Sequence, residues 1–310
     1  MSALRLGVDI GGTKVHAVAL DDAGAVVAEA RLPTGFGAEA VVASAHAAVV
    51  QLTEHLGVAP SALTSIGVGV PGRVDPATGH VAHAVNLGLD SLDLGALLAS
   101  RLGRAVVVEN DVNAAALGAF HLLGDPRLRS MAYLNLGTGL AAGLVLDGRV
   151  WRGSRGVAGE IGHIPVDPQG ELCRCGQRGC LETLASGSAL ARLWPQGAGA
   201  PASALFAAAG AGDEQAAAVA ERLVGNVAAA VRILVLAVDV DAVVIGGGLS
   251  SLGDRLLGQV RARLDADART SPFLASLALA ERVLLVPAGS PVGAVGAALV
   301  GAPSAEVVGV

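Results

Sequence analysis

All three cysteines of the chain fall in one short run, Cys173-x-Cys175-x4-Cys180. An odd count at such tight spacing does not make a disulfide framework. Three thiolates this close would repel one another unless a cation neutralised them. A tetrahedral Cys3His zinc site needs one further ligand, and His163 is the nearest histidine upstream. With four protein ligands the zinc has no open position for catalysis. Its role is then structural: to order a Gly-rich loop with too little apolar content to fold alone.

Two Gly/Thr turns come next. Asp9-Ile10-Gly11-Gly12-Thr13-Lys14 is not a Walker loop, because a strand follows where that loop requires a helix. Its glycines still let backbone N–H groups point at an anion, with Thr13 and Lys14 adding a hydroxyl and a positive charge. Lys14 is the only lysine in a chain otherwise served by arginine. Gly137-Thr138-Gly139 offers the same chemistry a second time. In Glu109-Asn110-Asp111, where a strand meets a helix, Asn110 or Asp111 could be a plain N-cap. Alternatively Asp111 is a carboxylate that takes a proton from a substrate hydroxyl. Glu160 and Glu182 flank the cysteines in glycine-rich loops; either could be a solvated charge, and as a pair of acceptors they suit recognition of vicinal hydroxyls. Gly246-Gly247-Gly248 would let backbone approach a flat ring or ribose closely.

The elements that must position these groups alternate between strand and helix. Strands are expected at Leu4–Ile10, Lys14–Leu20 and Ala25–Arg31, and the same strand, Gly/Thr turn, strand, Asp-Gly turn, strand pattern returns at Met131–Leu136, Leu140–Leu146 and Arg149–Trp151. This reads as an internal duplication, giving two related α/β domains that face each other across a cleft. The expected division is 1–112 plus 291–310 for a smaller domain and 113–290 for a larger one carrying the zinc loop. Helices are expected at Ala38–Leu56, Val112–Leu122, Leu181–Trp194, Asp213–Leu236, Gly253–Ala266 and Val292–Val300. Further strands are expected at Ser65–Val70, Ala105–Val108 and Ala242–Ile245. Gly153–Gly179 reads as irregular, and Pro195–Pro201 as a short loop.

Composition excludes several alternatives. The chain is 53% hydrophobic with a mean hydropathy of +0.60. Its most apolar stretch, Ala216–Val240, is nevertheless broken by Glu221, Arg222, Asn226, Arg232 and Asp239, so no membrane span is expected. Asp9 cuts short any secretory signal, and the expected location is the cytoplasm. A net charge of −6 without a basic stripe, and aromatics at only 2%, argue against a nucleic-acid partner.

Taken together, Gly156-Val157-Ala158-Gly159-Glu160-Ile161-Gly162-His163 and Cys173-Arg174-Cys175-Gly176-Gln177-Arg178-Gly179-Cys180-Leu181-Glu182 resemble the signature of the ROK family of sugar kinases and repressors. Asp9–Lys14, Gly137–Gly139 and Gly246–Gly248 resemble its two phosphate segments and its adenosine segment. The resemblance implies an α/β fold of two actin/hexokinase-like (ribonuclease H-like) domains and ATP-dependent phosphorylation of a hexose, glucose at the 6-hydroxyl first. Asp111 would be the base. Asn86, Asn110, Glu160, His163, Glu182 and the Gly72 backbone would bind the sugar, and His163 would bind zinc through its other ring nitrogen. Asp9 would organise Mg²⁺, while Gly11, Gly12, Thr13, Lys14, Gly137, Thr138 and Gly139 would cradle the phosphates of ATP. A homodimer or homotetramer is expected.

Three departures accompany the resemblance. Ala141 and Ala142 stand where the family has further glycines, and their methyl groups could hinder the approach to phosphate. No aromatic residue follows Asn86-Leu87, and Asp90 stands nearby. Ala119 replaces a frequent acid. Other substrates of the same chemistry are N-acetylglucosamine, N-acetylmannosamine, mannose, fructose or allose, and polyphosphate is an alternative donor. A non-catalytic sugar-sensing regulator is the reading from another class. Family repressors carry a DNA-binding domain ahead of the first phosphate segment, and the eight residues before Asp9 are expected to leave no room for one.

Overall fold

A computed structural model describes residues 3–196 and 200–302. Contacts divide the chain into two compact units. The first takes in residues up to Arg129, then Gly143–Ala158 and the chain from Gly289; the second takes in Ser130–Ala142 and Gly159–Ala288.

The first unit opens with β1 (Arg5–Ile10), β2 (Lys14–Leu20) and β3 (Val26–Pro33), an antiparallel meander. Helix α1 (Ala38–Leu56) lays Val41, Val42, Ala45, Ala48, Val49 and Leu52 into the core and ends at Gly57 in the left-handed conformation. β4 (Ser65–Val70) is buried at every residue, as a parallel strand covered on both faces must be. A small antiparallel sheet follows, β5 (Arg73–Asp75), β6 (His80–Ala84) and β7 (Leu89–Leu92). Then come α2 (Leu94–Leu102), β8 (Val107–Asn110) and α3 (Asp111–Leu123). The main sheet has the order β3-β2-β1-β4-β8, with β4 and β8 parallel to β1.

A second five-stranded sheet repeats this plan. Its strands β9 (Ser130–Leu136), β10 (Leu140–Leu146), β11 (Arg149–Val150), β12 (Ala242–Gly246) and β13 (Val283–Leu285) lie in the order β11-β10-β9-β12-β13. Here β12 and β13 run parallel to β9. A meander followed by two parallel strands thus occurs twice, as the repeated turn pattern led one to expect. The helices of the second unit are α4 (Glu182–Ala185), α5 (Gly187–Leu193), α6 (Pro201–Gly210), α7 (Glu214–Val238), α8 (Asp254–Arg269) and α9 (Pro272–Ser276). The last helix, α10 (Val292–Val300), returns to the first unit against α3, β1 and β4. It lies there in backbone contact: a Cβ on Gly67 of β4 would sit 1.9 Å from the Ala297 carbonyl oxygen.

Several elements differ from expectation. The strand expected at Ala105–Val108 lies at Val107–Asn110, because its register on β4 runs to Asn110. The helix expected at Leu181–Trp194 breaks at Ser186, which is extended and caps α5 by accepting from Ala189 N at 3.1 Å. Pro201, expected in a loop, is the first residue of α6; residues 197–199 of that loop, and residues 303–310 of the expected 291–310 segment, lie outside the described residues. The boundary expected after residue 112 falls within α3, whose small residues pack along α10 inside the first unit. Neither β5–β7 nor α2 was legible, and α9 and β13 were equally silent. No helix among the described residues is long and apolar enough to cross a membrane.

Candidate active site and metal centre

In the first unit the chemistry gathers at the carboxyl ends of three parallel strands. Asp9 of β1 is level with Gly69 of β4, which is level with Glu109 of β8, and Val70 is level with Asn110. Open α/β sheets bind ligands at such strand ends. Asn110 settles the capping question: its Oδ1 accepts from Val112 N at 3.0 Å and Asn113 N at 3.2 Å, so it is the N-cap of α3. Its Nδ2 donates to the Gly72 carbonyl at 3.1 Å, which joins two residues expected at the sugar. Asp111 is thereby the first helical residue, where the helix dipole favours a carboxylate; its Oδ1 accepts from Val112 N at 3.0 Å.

Glu109 holds this corner from beneath. It is 2% exposed. Its Oε1 accepts from Asn110 N at 3.0 Å and Asn113 Nδ2 at 3.1 Å, and its Oε2 accepts from Arg152 Nε at 2.7 Å and pairs with Arg152 Nη2. Sequence reasoning noted Glu109 but gave it no role, and it missed Arg152. Asp9 is the perturbed group: burial first, then the charge of Asp111, push its pKa up to about 7 against the opposing pull of Lys14. The space is narrow, since a Cβ on Gly293 of α10 would fall 2.5 Å from Asp9 Oδ2.

The first Gly/Thr turn closes through Gly11 N donating to the Lys14 carbonyl at 2.9 Å, and Thr34 Oγ1 donates to the Gly11 carbonyl at 2.7 Å. Gly12, Thr13 and Lys14 are exposed. Asn86 lies against Gly12, whose added Cβ would be 3.7 Å from that of Asn86. The exposed ring of Phe36 covers Gly88, two residues on. An aromatic side chain therefore stands over this segment, supplied by the loop before α1 rather than by the residues after Asn86-Leu87. No periodicity could have revealed it.

In the second unit His163, Cys173, Cys175 and Cys180 converge, their ligand atoms all within 4.8 Å of one another. His163 Nδ1 is 3.7 Å from Cys173 Sγ, and Cys175 Sγ is 3.6 Å from Cys180 Sγ. Tetrahedral zinc with ordinary bond lengths requires edges of about 3.5–3.8 Å, which these two distances match, and the donor set is one that zinc takes. Burial pushes the Cys180 thiol up, while the backbone and side-chain amides of Gln177 pull that of Cys175 down. A bound cation is what would let all three be thiolates. The loop turns through Gly179, where a Cβ would meet the Asp167 carbonyl oxygen at 1.6 Å. With Nδ1 facing the sulfurs, His163 Nε2 faces the other way and lies 4.0 Å from Glu160 Oε2.

Leu140 links these residues to the second Gly/Thr turn. Its N–H donates to Glu182 Oε2 at 3.0 Å, and its carbonyl oxygen would be only 2.0 Å from a Cβ on Gly162. Glu182 is thus packed against Gly139, and Gly162, between Glu160 and His163 in sequence, against Leu140. Gly247, at φ 77°, approaches the end of β9 so closely that a Cβ would fall 2.6 Å from the Leu136 carbonyl carbon. That places Gly246–Gly248 beside the same turn. Ala142, expected to crowd the phosphates, has this placement: it lies in β10, its side chain is buried, and its N–H donates to the Gly159 carbonyl at 2.8 Å.

The sequence profile of the ROK family matches residues 5–301. A glucokinase of Halalkalibacterium halodurans is 35% identical over 281 residues, 84% of this chain and 85% of that protein. The crystal structure of a ROK hexokinase from Thermus thermophilus superposes with a TM-score of 0.81 at 32% identity, covering 96% of this chain and 97% of that one. A ROK glucokinase from Streptomyces griseus, solved in complex with glucose and AMPPNP, gives a TM-score of 0.78 at 32% identity, covering 96% and 99%.

Proposed function

Because the chain belongs to the ROK family, we propose that it is an ATP-dependent sugar kinase that phosphorylates a hexose, glucose at its 6-hydroxyl in first place. The carrying observation is Asp111. Asn110 takes the capping role, and Asp111 stands at the start of α3, where Glu109 braces the backbone beneath it. The glucokinase relative and the glucose and AMPPNP complex support the substrate pair.

In this reading Asp111 accepts the proton of the sugar hydroxyl as its oxygen bonds to the γ-phosphorus. The bond from that phosphorus to the β–γ bridging oxygen breaks, and ADP leaves. The protein contributes mainly positioning and charge stabilisation. Asn86, Asn110 and the Gly72 backbone, with Glu160, His163 and Glu182, take the remaining hydroxyls. Asn110 offers its second amide hydrogen, Glu182 the oxygen not given to Leu140, and His163 its Nε2. Thr13, Lys14 and Thr138 meet the phosphates, and Gly246–Gly248 lie along the adenosine. Mg²⁺ on the nucleotide would neutralise phosphate charge, with Asp9 orienting it. Zinc in the Cys3His cage would fix the ring of His163 and the loop bearing Glu160.

The test is ADP release over a panel of glucose, mannose, fructose, allose and the two N-acetylhexosamines, repeated with polyphosphate as donor. Turnover greatest on glucose with ATP is expected. A different preferred hexose would move the substrate and keep the chemistry. No turnover on any hexose would remove the kinase assignment and leave the sugar-sensing regulator.

A further inference from the structure

The turn Gly137-Thr138-Gly139 does not hold its own shape. It is gripped by the stretch of chain that begins immediately after the last cysteine of the metal cage. Gly187 N donates to the Gly137 carbonyl at 2.8 Å, and Ser188 N donates to the Thr138 carbonyl at 3.1 Å. Ser188 Oγ donates to that same Thr138 carbonyl at 2.7 Å. Glu182 Oε2 accepts from Leu140 N at 3.0 Å. The grip is close, because a Cβ on Gly187 would fall 2.7 Å from the Gly137 oxygen.

These bonds decide where the N–H groups of the turn point. Among the described residues every peptide is trans, and across a trans peptide the C=O and the following N–H point in opposite directions. Pulling the carbonyls of Gly137 and Thr138 toward α5 therefore turns the N–H groups of Thr138 and Gly139 away from it. Leu140 N is already committed to Glu182. Two aligned N–H groups are left facing outward, which is the arrangement that cradles an anion. Ser188 is itself braced, its Oγ lying 3.0 Å from that of Ser186, which is fully buried and caps α5.

We propose that Ser188, with Gly187 and Glu182, is a positioning residue for the nucleotide phosphates. The segment Cys180–Ser188 then carries the order imposed by the metal cage into the phosphate turn, so the metal governs nucleotide binding as well as sugar binding. This rests on the reading that Gly137–Gly139 contacts phosphate. In this role Ser188 acts through the turn.

The test measures the dissociation constants of a non-hydrolysable ATP analogue and of glucose by calorimetry, with zinc content determined on the same samples. Ser188→Ala should keep its zinc and its glucose affinity while weakening the ATP analogue about 5- to 10-fold, the cost of one well-placed hydrogen bond. Ser188→Thr, which keeps the hydroxyl, should restore most of that loss. Zinc removal by chelation should weaken both ligands. Thr138→Ala separates the premise from the inference. If Thr138→Ala weakens the analogue and Ser188→Ala does not, the clamp is overturned and the phosphate turn stands. If neither variant affects it, the premise fails and the clamp with it. Equal weakening of glucose and analogue in Ser188→Ala would assign Ser188 to general folding and also overturn the proposal.

Discussion

Burial and the charge of Asp111 act together on the carboxyl group of Asp9. After burial, that charge is the largest cause raising the Asp9 pKa from 3.8 to about 7. Both acids belong to the carboxyl ends of the parallel strands, Asp9 one residue before the end of β1 and Asp111 following β8, with glycine at position 69 on the strand between them. A Cβ there would lie 3.8 Å from Asp9 Oδ1 and 3.7 Å from Asp111 Cα. The two carboxyl groups therefore share one field, and only Lys14 opposes it.

A direct measurement follows for Asp9. Carboxyl carbon NMR of the ligand-free protein should show it titrating near pH 7, and Asp111→Asn should move that midpoint down. The linked stability has a definite sign. A carboxyl whose folded pKa is raised stabilises fully below its unfolded value of 3.8, and the contribution is lost as pH rises through about 7. Since a divalent cation needs the ionised form, Mg²⁺-nucleotide affinity should rise over the same interval. An Asp9 midpoint near the ordinary value would defeat this prediction.

Asp111→Asn should also separate binding from chemistry. The amide keeps the shape of the helix start but cannot accept the hydroxyl proton. Sugar affinity should change little, and kcat should fall by about 10²–10⁴. Near-normal turnover would remove Asp111 from the mechanism.

Glu109 and Arg152 should behave asymmetrically. Arg152→Ala leaves the buried Glu109 carboxylate without its cation and should cost about 3 kcal/mol in urea unfolding. Glu109→Gln retains an acceptor for Asn110 N and leaves an arginine that already reaches solvent, so about 1 kcal/mol is expected. Equal losses would mean that the guanidinium is dispensable beneath the helix.

Cys175→Ser opens the metal cage at its one exposed thiol. Zinc content should fall, and glucose affinity and thermal stability should fall with it, because the loop has little core of its own. Metal-free protein with unchanged glucose affinity would disconnect the cage from the sugar ligands.

The outline of the fold was legible wherever a local signal was strong. The meanders at Lys14–Leu20 and Leu140–Leu146, α1 at Ala38–Leu56 and the last helix at Val292–Val300 lie where their periodicity and turn residues put them. The missed elements are short or are set by partners. β13 is three residues ordered by β12, and β5–β7 order one another. Ser186 breaks a continuous apolar pattern, because the chain there bends to meet Gly137.

For the metal cage, type and spacing were enough to name the three thiolates, and the resemblance to the ROK signature added weight to His163 as the fourth donor. Tertiary structure decided what faces what. It turned His163 Nδ1 to the sulfurs and Nε2 toward Glu160, and it made Asn110 the cap, leaving Asp111 to open the helix. It also brought Arg152 under Glu109 and Ser188 onto Thr138. Donor chemistry belongs to side chains and can be read residue by residue. Which hydrogen bond each donor spends, and what remains for a ligand, depends on neighbours that only folding brings within 3 Å or so of one another.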